Sequence, residues 1–117
     1  MSPPAPRRGE VWLADVDKVR PVIVLTRDPL GRLLNSVVAA PVTSSVRGVS
    51  TEVAVGSGDG IRRPSVANLD NVLQLDRTRL RRRVGRAGPS TMAAICAALM
   101  IAVDCEALLP PNPKNPS

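Results

Sequence analysis

Residues 9–15 (GEVWLAD) alternate apolar and polar side chains, and residues 21–26 (PVIVLT) follow as a short apolar run bounded by turn-formers. A period of two, or a short apolar run between breakers, is a strand signal, so both segments predict strands, with Lys18 and Val19 in the tight turn between them. A turn at Asp28-Pro29-Leu30-Gly31 leads to a third strand over residues 36–42 (SVVAAPV). Pro41 cannot donate to a ladder and belongs at an edge or bulge. After a polar loop over residues 43–50, residues 51–55 (TEVAV) and 65–75 (SVANLDNVLQL) read as two further strands around the Gly-rich turn GSGDG. Residues 76–80 suit a helical turn and residues 81–87 a last strand, which Gly88-Pro89 breaks. Ser90 then caps a helix that reaches about residue 108, where Pro110 and Pro111 stop it.

Five or six short strands followed by one helix predict a mainly β fold: a small SH3-like antiparallel barrel, partly open, with the C-terminal helix packed on it. A βαβ arrangement is excluded, because no helix-length segment separates the early strands. The 117 residues fit one domain. Residues 1–8 and 110–117 are proline-rich and polar and are expected to be flexible, which leaves 9–109 as the folded unit. The longest apolar run, residues 92–103, is shorter than the ~20 residues a membrane helix needs. The opening MSPPAPRRGE has no apolar stretch of the kind an export signal requires.

Composition narrows the chemistry. With one tryptophan and no phenylalanine or tyrosine, the core must be aliphatic. The net charge is +6, and of 16 basic residues only Lys18 and Lys114 are lysines, so 14 are arginines. A guanidinium pairs bidentately with phosphate, so an Arg-heavy basic domain suits nucleic acid, although a merely soluble basic surface has the same composition. Without histidine, a histidine-based ribonuclease, a Ser-His-Asp hydrolase and a histidine-ligated metal are excluded. Cys96 and Cys105 lie nine positions apart in one expected helix and form no Cys-x-x-Cys pair. Neither a mutual disulfide nor a zinc site is expected, and a reducing cytoplasm is the simplest setting. No cofactor is indicated.

Arg20 and Thr43 flank the hairpin made by residues 21–26 and 36–42, with their midpoint in the turn. In register they face each other on the same side of the sheet. An Arg beside a hydroxyl at a sheet rim can offset charge building on phosphate oxygens. RNA supplies its own nucleophile, the 2′-hydroxyl, so such a site needs only positioning, charge stabilisation and proton transfer. On geometry alone the same pair also serves as a structural rim contact.

Four blocks, Gly9-Glu10-Val11-Trp12-Leu13, Arg20-Pro21-Val22-Ile23-Val24-Leu25, Ala40-Pro41-Val42-Thr43-Ser44-Ser45 and Ser65-Val66-Ala67-Asn68-Leu69-Asp70-Asn71, occur in that order. With the following Leu75-Asp76-Arg77-Thr78-Arg79-Leu80 and a final helix, they resemble the MazF/PemK/Kid toxins. The resemblance spans nearly the whole folded region. It implies an SH3-like barrel, a homodimer, an acidic antitoxin partner over the substrate groove, and cleavage of single-stranded messenger, ribosomal or transfer RNA. It further implies cleavage at short sequences to a 2′,3′-cyclic phosphate and a 5′-hydroxyl. Arg20 and Thr43 match the family's catalytic Arg and Ser/Thr, and a guanidinium stays protonated across ordinary pH. Arg20 is therefore assigned to transition-state charge and Thr43 to a phosphate oxygen.

Candidate RNA contacts are Lys18, Ser44, Ser65, Asn71, Arg77 and Arg79, and Glu52 is a candidate general base. The chain departs from many relatives in its short first turn, residues 16–19, and in Asn71 and Asn68, where Gln and an apolar residue are common. Two rival readings remain. One is a CcdB-like gyrase-binding toxin, which depends on a tryptophan near the C-terminus, whereas the single tryptophan here is Trp12. The other is a non-catalytic RNA-binding module.

Overall fold

The apolar run in the second strand is continuous because both of its faces are covered. Ile23 and Leu25 point into one buried cluster with Val11, Ala40, Val42, Val53, Val55, Ala67, Leu69 and Ile95. Val22 and Val24 point into a second, with Ala14, Val37, Ala39, Leu75 and Leu80. The computed structural model describes residues 5–28 and 30–103, without the side chains of residues 31 and 32. Its strands are β1 (Glu10–Asp15), β2 (Val19–Val24), β3 (Ser36–Thr43), β4 (Glu52–Val55), β5 (Ser65–Asn68), β6 (Leu73–Asp76) and β7 (Leu80–Arg86). Two α-helices, the single turn α1 (Leu30–Leu33) and α2 (Pro89–Val103), and three short 3-10 turns complete the described chain.

The pairings are antiparallel and run β4-β5-β3-β2-β1-β7, with β6 also on β3. β4 and β7 do not pair with each other, so the expected barrel is a curled, open sheet. The mainly β class and the C-terminal helix are as expected, but there are seven strands, one more than the upper expectation. The extra strand comes from residues 65–75, read as one strand and found as β5 and β6 around a 3-10 turn at Leu69–Asn71. Asn68 causes the break: its side-chain oxygen accepts from the Asp70 N–H (3.0 Å), a local bond that competes with the ladder.

β3 changes neighbours along its length, with residues 36–39 on β6 and Val42 and Thr43 on β5. Pro41 stands at that changeover and not inside a continuous ladder, as a residue without an N–H requires. β7 pairs with β1 through two register shifts, one between Val11 and Trp12 and one between Leu13 and Ala14. Such bulges add twist and re-aim side chains.

α2 starts at Pro89, one residue before the expected Ser90 cap, and the Met92 N–H donates to the Gly88 carbonyl (2.9 Å). Pro is well suited to a first helical position, where its N–H would have no partner. Ile95 and Ala98 anchor the helix in the first core cluster, while Met100 and Ile101 are more than half exposed. The expected continuation to residue 108 lies outside the described residues, as do residues 1–4, Pro29, Cys105 and the proline-rich tail. Among the described residues, no helix is long and apolar enough to cross a membrane.

Candidate active site

The β1–β2 connection is a three-residue loop closed by the Asp15–Val19 pair and by the Val16 N–H donating to the Lys18 carbonyl (3.0 Å). β2 therefore begins at Val19, two residues before the expected strand, and carries Arg20 at its entrance. Across the sheet Val22 is opposite Pro41. Continuing that register by two residues puts Arg20 across from Thr43, on the face that Val22 and Pro41 share. Both residues line one open cleft of ≈ 880 Å³.

Four segments enclose the cleft. The β1–β2 hairpin gives Leu13, Lys18 and Arg20; the end of β3 and its loop give Thr43, Ser44 and Ser45; the turn into β5 gives Arg62, Arg63 and Ser65; β7 gives Arg82 and Arg83. Of the expected RNA contacts, Lys18, Ser44 and Ser65 are therefore on the lining with Arg20 and Thr43. Asn71, Arg77 and Arg79 are not. Asn71 ends the Leu69–Asn71 turn, Arg77 donates to the Leu34 carbonyl (3.2 Å), and Arg79 reaches the Asp15 carbonyl (3.5 Å).

Arg20 is held edge-on. Its Nε lies 2.9 Å from Asp17 Oδ1 and its Nη2 lies 2.8 Å from Asp17 Oδ2. The Arg20 side chain is 20% exposed and that of Asp17 67%, so the guanidinium is partly shielded while its partner faces solvent. The Arg20 hydrogen bonds keep the Asp17 carboxyl below the usual Asp range. On the other wall, Thr43 Oγ1 accepts the Ser45 N–H (3.1 Å), which leaves the hydroxyl hydrogen to donate elsewhere. Ser65 differs: its hydroxyl donates to the Arg63 carbonyl (3.0 Å) and so braces the turn that carries Arg62 and Arg63.

The cationic lining is unevenly neutralised. Arg83 Nη1 lies 3.0 Å from Glu10 Oε2. Burial pushes the Glu10 carboxyl up, but hydrogen bonds from the Arg7 N–H, Arg83 and the Trp12 indole outweigh it and hold the group below the usual Glu range. Lys18, Arg62, Arg63 and Arg82 have no side-chain hydrogen bond or ion pair among the described residues. Clustered charges of one sign at a concave surface concentrate a polyanion there.

Glu52 does not serve this cleft. Its carboxylate accepts the backbone N–H groups of Arg47, Gly48 and Val49, and although burial pushes it up, those bonds hold it below the usual Glu range. It anchors the loop before β4 and is absent from the cleft lining. Among the described residues, no three His, Cys, Asp or Glu side chains gather as a metal-ligand group. Three residues went unmarked at the sequence level: the Arg62-Arg63 doublet has the charge but no local sign of its destination, and Asp17 had only its spacing of three from Arg20 as a signal. Of the basic run Arg77, Arg79, Arg81, Arg82, Arg83 and Arg86, read as either a phosphate track or a solvated rim, Arg82 and Arg83 reach the cleft lining.

Comparison with known proteins gives a consistent picture. The family described as PemK-like, MazF-like toxin of type II toxin-antitoxin system matches residues 7–103. A Mycobacterium tuberculosis protein named probable endoribonuclease MazF5 is 43% identical over 103 residues, covering 86% of this chain and 94% of the relative. Endoribonuclease MazF3 of the same organism is 36% identical, covering 82% and 93%. Among solved structures, the M. tuberculosis toxin MazF-mt6 superposes with a TM-score of 0.78 at 37% identity, over 81% of this chain and 96% of that one. A mycobacterial endoribonuclease in complex with its cognate antitoxin gives 0.79 at 32% identity, over 86% and 96%.

Proposed function

The chain belongs to the PemK-like, MazF-like toxins of type II toxin–antitoxin systems, and from that premise we propose that it is a sequence-specific, metal-independent endoribonuclease acting through Arg20 and Thr43. The observation that carries this reading is the convergence of Arg20 and Thr43 on one cleft whose rim holds cations without protein partners among the described residues. A strand of single-stranded RNA enters the cleft with its phosphates near Lys18, Arg62, Arg63 and Arg82, and Ser44 and Ser65 line its path. The 2′-hydroxyl oxygen attacks the adjacent phosphorus as the bond from phosphorus to the 5′-oxygen breaks. The products are a 2′,3′-cyclic phosphate and a 5′-hydroxyl, the proton passing overall from the 2′-oxygen to the 5′-oxygen.

Charge grows on the non-bridging oxygens during that step. The Arg20 guanidinium offsets it and the Thr43 hydroxyl donates to it, an arrangement that stabilises the transition state more than the ground state. Because the substrate carries its own nucleophile, the chain needs no activated Ser or Cys. Asn71, Arg77 and Arg79 have no part in the chemistry and meet RNA only where it extends past the cleft.

The same cleft accepts the acidic segment of a cognate antitoxin, which would compete with RNA for the cations. Exposed Met100, Ile101 and Val103 on α2 support assembly of two copies, and the cytoplasm, where RNA is made and used, is the setting this reading calls for. A gyrase-binding role finds no support in the geometry, since Trp12 is half-buried in β1 with its indole N–H given to Glu10. Brief expression in bacteria followed by mapping of RNA ends tests the proposal. New 5′-hydroxyl ends at a recurring short sequence are expected, and intact RNA in growth-arrested cells would overturn it.

A further inference from the structure

A guanidinium has two hydrogen-bonding edges: a side-on edge formed by Nε–H and one Nη–H, and an end-on edge formed by the two Nη groups. In Arg20 the side-on edge is filled by both oxygens of Asp17. The end-on edge has no protein partner among the described residues. We propose that Asp17 is the positioning residue of this enzyme: it clamps the side-on edge of Arg20 so that the end-on edge is presented to the scissile phosphate. The inference rests on reading the cleft as an RNA-cleaving site.

Three observations carry it. Asp17 is the middle residue of a three-residue loop pinned at its base by the Asp15–Val19 pair and by the Val16–Lys18 bond, so the carboxylate is offered from a short, tied segment. Its exposure at 67% makes the pair a poor stabiliser of the fold, because solvent-exposed ion pairs contribute little. Its charge also has the wrong sign for attracting RNA, and Asp17 stands behind Arg20, outside the lining that Lys18, Arg62, Arg63 and Arg82 make cationic. A carboxylate that neither holds the fold together nor attracts the substrate, yet bonds both nitrogens along one edge of the catalytic guanidinium, is placed to fix an orientation.

This role separates kcat from KM. Loss of the carboxylate frees the Arg20 fork to rotate away from the phosphate, and misplacement of a catalytic group by about 1 Å can cost on the order of 100-fold in rate. The same loss removes a negative charge from a polyanion site. Asp17→Ala is therefore expected to lower kcat by about 10- to 100-fold while leaving KM unchanged or reduced. The melting temperature should match the wild type. Asp17→Asn keeps one acceptor oxygen and should recover part of the lost kcat.

The test is steady-state cleavage of a short single-stranded RNA by wild type, Asp17→Ala, Asp17→Asn and Arg20→Ala, with the Arg20 Nε–H signal followed by NMR in the uncleaved state. A protected, shifted Nε–H signal in the wild type that is lost in Asp17→Ala, together with the kcat-only defect, is the expected result. A wild type that cleaves, an Arg20→Ala that does not, and an Asp17→Ala with unchanged kcat would overturn the inference and leave the nuclease reading intact. A parallel loss of melting temperature and of both kinetic constants would also overturn it, since that is the mark of a structural residue. A wild type that cleaves no RNA sinks the nuclease reading first, and the inference with it.

Discussion

The turn that brings Arg62 and Arg63 to the cleft is locked against β7 by contact between two glycines, and a single methyl group should undo it. A Cβ on Gly85 would sit 2.4 Å from the Asp59 carbonyl oxygen and 2.7 Å from the Gly60 Cα, both backbone atoms that cannot swing aside. Gly60 is itself left-handed (φ +86°), so the turn has little freedom to re-form elsewhere. Asp59 adds a second tie, its Oδ1 accepting the Gly88 N–H (3.0 Å). Overpacking of a well-fitted site costs about 1–3 kcal/mol, and two backbone clashes place Gly85→Ala near the top of that range. At roughly 4–8 °C per kcal/mol for a domain of this order of size, the melting temperature should fall by about 10–20 °C.

Gly58→Ala is the control, because nothing lies within 4 Å of its Cβ position and its φ is not positive. It should shift the melting temperature by no more than a few degrees, upward if the unfolded chain loses entropy. Thermal unfolding followed by circular dichroism makes the measurement, and Trp12, the sole aromatic residue, reports β1 separately by fluorescence. RNA binding by Gly85→Ala below its melting point should weaken too, since the displaced turn carries two cleft arginines. A Gly85→Ala protein that melts with the wild type would refute the lock between this turn and β7.

Other outcomes follow from the same geometry. Arg20→Ala and Thr43→Ala should each lower kcat by about 100- to 1,000-fold, the cost of losing one donor to a developing oxyanion, with melting temperatures near the wild type. The triple variant Arg62→Ala, Arg63→Ala, Arg82→Ala should weaken RNA binding and flatten its dependence on salt, the log–log slope falling by about 0.7 for each phosphate of the single strand that is no longer neutralised; an unchanged slope places the RNA elsewhere. Glu10 has a folded-state pKa held below its unfolded value, so its contribution to stability is present above the ordinary Glu range of about 4.3 and is lost as pH falls through the lowered value. Glu10→Gln should accordingly lose less stability than the wild type on acidification through that window, as read from denaturant midpoints.

What the sequence disclosed depended on how local the determinants were. The Arg20–Thr43 juxtaposition was legible because one hairpin turn sets the register between β2 and β3, and the Val22–Pro41 pair agrees with that register. The division of residues 65–75 was not, since it depends on Asn68 turning its side chain onto its own backbone. Arg62 and Arg63 reach the cleft only because the turn after β4 folds onto β7, a contact across more than twenty residues that no periodicity encodes. Arg77 and Arg79 show the reverse: they open the basic run Arg77, Arg79, Arg81, Arg82, Arg83 and Arg86, which reads equally as a phosphate track or a solvated rim, and the turn at Arg77–Arg79, capped by Asp76, sets them toward Leu34 and Asp15. The open sheet follows from strand pairings between distant parts of the chain, and it agrees with the curled, partly open outline expected.

The proposed chemistry has the substrate's own ribose acting as nucleophile while Arg20 and Thr43 manage the charge. The most direct measurement uses two synthetic RNAs of the recognised sequence, alike except that one lacks the 2′-hydroxyl at the nucleotide before the cleaved bond. The intact RNA should yield a 2′,3′-cyclic phosphate, resolved by mass spectrometry, and the 2′-deoxy RNA should bind but remain whole. Cleavage of the 2′-deoxy strand at a comparable rate would contradict this chemistry, because the nucleophile would then have to come from the protein or from water.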